Sequence, residues 1–79
     1  MNFGQALELL YAGKSVCRAG WNGKGMFLFI VLAWTYTDGI HDNYDNAPFI
    51  CMKTVDRRAV PWLASQTDVL ADDWEEVSL

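Results

Sequence analysis

Apolar residues at Phe3, Ala6, Leu7, Leu10 and Tyr11 recur at the i, i+3, i+4, i+7, i+8 spacing of one helix face. Asn2 stands where an N-cap accepts from the first turn, and Gly13 suits the left-handed backbone that closes a helix. The pattern predicts a helix over Phe3–Ala12. Ser15–Arg18 is a short strand candidate. Gly20, Gly23 and Gly25 then cluster around an Asn-Gly pair and mark a turn. Met26–Ala33, bounded by turn signals and rich in aromatic and β-branched residues, reads as a central strand.

Beyond it, residues Thr35–Pro48 carry Asp38-Gly39, further Asp and Asn pairs and a closing proline, the composition of a loop or a loose hairpin excursion. Phe49–Thr54 is a second strand, Val55–Arg58 a turn, and Ala59–Trp62 a third strand. Pro61 confines that third strand to an edge or a strand end, because proline donates nothing to a ladder. Ser65-Gln66-Thr67-Asp68 has the form of a capping box ahead of Val69, Leu70 and Ala71, so a short helix follows. Asp73–Val77 closes the chain as a strand. No repeat or linker divides residues 1–79. The predicted class is α+β: a small antiparallel β-sheet with an N-terminal helix and a short C-terminal helical turn, in one domain.

Length changes this picture first. A chain of 79 residues buries a modest fraction of its surface and has little stability to spare. At 52% hydrophobic and 14% aromatic it has apolar surface to share with a second copy, so a homo-oligomer is expected. The formal net charge of −4 argues against a general DNA or RNA binder, which needs a basic face. Met1–Glu8 lacks the basic start and cleavage site of a signal peptide, and the longest apolar run, Met26–Trp34, falls far short of the ~20 residues that span a bilayer. A cytoplasmic protein with no membrane partner is the expectation. Cys17 and Cys51 stand isolated and read as two buried free thiols, not as a zinc site or a disulfide.

Two stretches carry candidate chemistry. In Arg18-Ala-Gly-Trp-Asn-Gly-Lys-Gly25, glycines let backbone N–H groups approach a ligand, Arg18 and Lys24 suit a phosphate, and Trp21 on a turn offers a flat face to a base. The spacing matches neither a Walker loop nor a dinucleotide fingerprint. The plainer reading is a glycine-rich turn whose Trp covers the core. In Pro61–Trp74, Trp62, Ser65, Gln66, Thr67 and Asp68 lie together; either Ser65 simply caps a helix between two core tryptophans, or the polar run reads a ligand. Asp68 makes that helix start a poor phosphate site and suits a donor such as a ribose hydroxyl or an exocyclic amine. Phosphate then belongs near Lys24 and Arg18. His41 beside Asp42 and Asp45 reads as a solvated acidic loop. No arrangement of a catalytic nucleophile and base is evident, and neither a metal nor a cofactor is expected.

The stretches "NFGQALELLYAGKSVCRAGWNGKGMFL" and "MKT…VPWLASQTDVLADDWEEV" resemble the Thoeris anti-defence protein two family of short phage and prophage proteins. The resemblance covers nearly the whole chain except the Ala33–Ala47 loop. It implies a homotetramer in the host bacterial cytoplasm that binds a small cyclic nucleotide, a glyco-cyclic ADP-ribose isomer, without cleaving it, and so acts as a sponge for an immune signal. Cyclic oligonucleotides at a separate site are implied for some relatives. Trp21, Asn22, Gly23 and Lys24 match the front motif, and Trp62, Ser65, Gln66, Thr67 and Asp68 the back one. The chain departs from the family pattern at Asp56-Arg57-Arg58, where an Asp-Gly turn is common, and in the variable central loop. A hydrolase of the same signal and an interaction module that blocks a host defence effector stand as alternatives.

Overall fold

In the computed structural model, residues 1–21, 25–32, 35–36 and 44–78 are described. Helix α1 spans Phe3–Tyr11, one residue shorter than the expected Phe3–Ala12, and Ala12 caps it. The Asn2 side-chain oxygen accepts from the Gln5 N–H at 2.8 Å, while the Gln5 side chain accepts from the Asn2 N–H at 2.9 Å. Two backbone donors are thus satisfied within the first turn. At the other end Gly13 adopts φ +84°, and the N–H groups of Gly13 and Lys14 return to the carbonyls of Leu10 and Leu9. Those paired bonds form a Schellman close, which favours glycine at this position. Ala6 and Leu10 are fully buried, but Tyr11, expected on the same face, is 65% exposed. It is the last helical residue, where the chain begins its turn toward the sheet.

The strands are β1 (Ser15–Arg18), β2 (Phe27–Val31), β3 (Thr35–Tyr36), β4 (Tyr44–Asp45), β5 (Phe49–Lys53), β6 (Ala59–Pro61) and β7 (Trp74–Val77), with a short helix α2 (Gln66–Val69) between the last two. Five of them form one antiparallel sheet in the order β6-β5-β2-β1-β7, with β2 at its centre as expected. Pro61 lies on the edge strand, where its missing N–H costs no ladder bond. β3 and β4 pair separately, so the Thr35–Pro48 excursion contains a hairpin.

Register divides the sheet residues between two faces. Val16 opposes Leu28, Leu28 opposes Met52, and Arg18 opposes Trp74. This is the face under α1, and its core consists of Ala6, Leu10, Val16, Leu28 and Trp74. Each of the larger of these side chains contributes roughly 1.5–3 kcal/mol by burial. On the opposite face Phe27 pairs with Lys53, Phe29 with Cys51, and Val31 with Phe49. Cys51 there is buried as expected, but Cys17 is only half-buried. Partial burial, then the charges of Glu75 and Asp73, push the Cys17 thiol above its ordinary value and keep it protonated. No helix among the described residues is long and apolar enough to cross a membrane.

Candidate functional site

Trp74 is the hub of the corner where the two sequence motifs meet. It is 2% exposed, and its indole N–H donates to the Asp68 carbonyl at 2.9 Å, which ties the end of the chain to α2. Trp21, in a 3-10 turn over Ala19–Trp21, meets Trp74 edge-on with ring centroids 5.5 Å apart. Trp62, just past β6, meets it edge-on at 6.0 Å and also packs on Phe3 at 5.8 Å. Both flanking tryptophans are half-buried. Each therefore supports the core with part of its ring and shows the rest to solvent. The packing reading and the ligand reading of Trp21 and Trp62 are compatible.

The polar residues of the back motif sort by position. Ser65 caps α2: its Oγ accepts from the Asp68 N–H at 3.1 Å and donates to the Asp68 carboxylate at 2.9 Å. Gln66 and Thr67 form the exposed first turn. Asp68 turns its other oxygen to Arg18, whose Nη1 donates at 2.8 Å, and the Nε of Arg18 donates to Asp73 at 2.8 Å. Arg18 reaches this place because β1 pairs with β7 in a register that sets Arg18 opposite Trp74. Its partners are thus two carboxylates, where a phosphate was the sequence expectation. Two fixed anions beside the guanidinium disfavour a third from a ligand.

The same geometry perturbs the ionisations. Burial pushes the Asp68 carboxyl up, but the hydrogen bonds from Arg18 and Ser65 outweigh it and leave the group below its ordinary value. Asp73 is lowered chiefly by Arg18, against some desolvation, with help from the Gly20 N–H. Arg18 is raised in return by Asp73 and Asp68. Both carboxylates stay charged at neutral pH.

Of the other sequence candidates, Asn22, Gly23, Lys24 and His41 lie outside the described residues. Asp73 and Lys53 were missed. Asp73 read as the first residue of a strand, and only the pairing of that strand with β1 brings it to Arg18. Among the described residues no group of His, Cys, Asp or Glu side chains could hold a metal ion. A recess of about 310 Å³ opens among Gly13, Lys14, Ser15, Glu76, Val77 and Ser78. It lies at the opposite end of the β1–β7 pair from Arg18 and Trp74, and none of the described candidate residues lines it.

A helix-backed antiparallel sheet with an aromatic, charge-bridged corner defines a small α+β domain whose distinctive surface is that corner. Residues 1–77 match the family model of the Thoeris anti-defense 2-like domain, and the chain belongs to that family. It is 48% identical over 86 aligned residues to Thoeris anti-defense 2 of Bacillus phage SP01, an alignment covering 99% of this chain and 96% of that protein.

Proposed function

We propose that this protein counters Thoeris defence by sequestering a compact cyclic nucleotide of the glyco-cyclic ADP-ribose type, without cleaving it. The observation that carries the reading is the pair of half-buried tryptophans, Trp21 and Trp62, both packed edge-on against the buried Trp74, whose indole in turn bonds α2 at the Asp68 carbonyl. A stacked base gains ~1–3 kcal/mol from such a ring. Gln66 and Thr67 supply hydrogen bonds to sugar or base, and Lys24, with Asn22 and Gly23, meets the pyrophosphate. Arg18, Ser65 and Asp68 hold the corner in shape, and Asp68 remains an acceptor for a ligand hydroxyl or amine. The protein works in the host bacterial cytoplasm as a homo-oligomer, a tetramer in the family pattern. The row Phe27, Phe29, Val31 and Phe49, on the sheet face away from α1, supports self-association, and Phe49 is 39% exposed.

Hydrolysis of the signal has less support, since the Ser65 hydroxyl is already engaged in capping α2 and bonding Asp68. Leu63 and Leu70, 92% and 80% exposed, are what favour the other reading, a protein-interaction surface. One experiment separates the three. The protein is incubated with a glyco-cyclic ADP-ribose isomer, washed and heat-denatured, and the supernatant is chromatographed. Intact nucleotide in stoichiometric amount supports sequestration; linear product means a hydrolase, and no nucleotide means an interaction module. Trp21→Ala should weaken capture by ~1–3 kcal/mol.

A further inference from the structure

We infer that two copies of this chain pack face to face through the sheet face away from α1, about a two-fold axis that runs along the strands between β1 and β2. Phe27 and Phe29 of each copy then lie over Cys17 and Ser15 of the other, and Glu75 of each meets the partner's Lys53. The inference rests on the homo-oligomer of the proposed function and assigns its interface; its test needs no nucleotide.

The sheet leaves few other surfaces on which to pair. α1 covers the face that carries Val16, Leu28 and Trp74. At one edge Pro61 on β6 removes a backbone donor, and at the other Glu75 and Glu76 on β7 are exposed charges. Both devices blunt edge-to-edge pairing. The remaining face is apolar in its middle and oppositely charged at its two sides. Strand register puts Glu75, Cys17, Phe27 and Lys53 in one row across β7, β1, β2 and β5. Val77, Ser15, Phe29 and Cys51 form the next row. β1 therefore shows this face two small side chains, while β2 beside it raises a ridge of two rings with centroids 6.4 Å apart.

A half-turn about the inferred axis exchanges β1 with β2 and β7 with β5. It sets the ridge of each copy over the small residues of the other, which is how the inner faces of aligned sheets interdigitate. The same operation brings Glu75 over the partner's Lys53. Within one chain those two residues lie three strand spacings apart, about 14 Å, too far to pair. Glu75 is exposed and makes no hydrogen bond or ion pair among the described residues. The Lys53 ammonium gives one proton to the Gly25 carbonyl at 2.8 Å and has two more to donate. A surface that matches itself in both size and charge is what a two-fold interface requires.

Charge reversal tests whether the pairing runs between copies. Glu75→Lys and Lys53→Glu each set like charges together twice per interface, so sedimentation equilibrium should show association through this face weakened about tenfold or more in each. Mixing the two single variants in equal amounts should restore wild-type association, because each then meets an opposite charge on its partner. The double variant should recover it alone. Cys17 reports where the contact lies: its alkylation at alkaline pH should slow as wild-type concentration rises through the association range. Single variants that associate like the wild type overturn the interface, as does a loss that neither mixing nor the double reversal restores. Cys17 labelling that is independent of concentration overturns it too. A wild type that stays monomeric at micromolar concentration overturns the homo-oligomer together with this interface, whereas failure to capture nucleotide overturns only the sequestration reading.

Discussion

Both helices begin with a short polar residue and a second polar residue three positions on, and they use that arrangement differently. At α1, Asn2 and Gln5 each satisfy the other's backbone, and the exchange is finished within four residues. At α2, Ser65 caps Asp68, but the Asp68 carboxylate reaches Arg18, fifty residues away in sequence. The nine-residue α1 buries Ala6 and Leu10 against the sheet, whereas α2 has four residues and buries none of its own. An isolated turn so short does not persist in water. It stands because Trp74 takes its Asp68 carbonyl and Arg18 its Asp68 side chain. A locally wired helix start serves the fold; one wired at long range joins separate segments, which is what a site assembled from both ends of a chain requires.

Trp74→Ala should break that arrangement most severely. Removing a buried Trp costs ~3–5 kcal/mol, a large share of what a small domain has. Thermal denaturation followed by circular dichroism should show a protein unfolded or nearly so. Trp74→Phe keeps most of the volume but removes the indole donor to the Asp68 carbonyl, for about 0.5–1.5 kcal/mol, since the Ala71 N–H still bonds that carbonyl. If Trp74→Ala melted within a few degrees of wild type, Trp74 would not be the hub.

A smaller effect separates the two caps. Asn2→Ala and Ser65→Ala should each cost ~1 kcal/mol of stability, measured by denaturant titration at one protein concentration. Only Ser65→Ala should also weaken nucleotide capture, because it frees one oxygen of Asp68 and loosens the carboxylate that Arg18 holds by the other. Equal binding losses in both variants would erase the distinction between the local and the long-range cap.

Acid should find the long-range corner first. Asp68 and Asp73 both titrate below the ordinary carboxylate value of 3.8 when folded, so at low pH the unfolded chain binds more protons than the fold does. The stability they contribute is fully present above that ordinary value and is lost as pH falls through their lowered folded values. Protection against amide exchange at Gly20 and Val69, relative to the free-peptide rate at each pH, should fall across that window while that of Ala6 in α1 lags, since α1 has no acidic residue in its first turn. Arg18→Gln should flatten the acid limb; an acid limb unchanged in that variant would mean the bridge does not set it.

What could be read from the sequence follows the same division. Asn2, Gly13 and Pro61 act on their own neighbours, and the elements they bound appear within a residue or two of expectation. The Thr35–Pro48 stretch showed its excursion through turn residues, and the β3–β4 pair bears that out. Arg18 was picked out as a cation, but its partners depend on β1 lying beside β7, which no spacing along the chain encodes. Asp73 carried no signal apart from its place before a tryptophan. Trp21 and Trp62 could be read as core or as surface, because a half-buried ring is both.

The smallest expected effect is a control on local wiring. Arg57, in the turn between β5 and β6, takes φ +66°, the one left-handed non-glycine residue among those described. That turn is held by its own residues: the Arg57 N–H donates to the Thr54 carbonyl at 3.0 Å, and the Thr54 hydroxyl accepts from the Arg58 N–H at 3.0 Å and donates to Asp56. The left-handed backbone costs a side-chain-bearing residue roughly 1–2 kcal/mol, while glycine adds back about 0.4–1 kcal/mol through the freedom it gives the unfolded chain. Arg57→Gly should therefore raise stability by about 0–1 kcal/mol, a shift of at most several degrees in a domain this size. Arg57→Ala keeps the strain and should give no such gain, so the difference between the two variants isolates the backbone from the lost charge. Because the turn shares no bond with Arg18, Asp68 or Asp73, nucleotide capture should be unchanged in both. A binding loss in Arg57→Gly matching that of Ser65→Ala would mean this turn, too, is wired into the site.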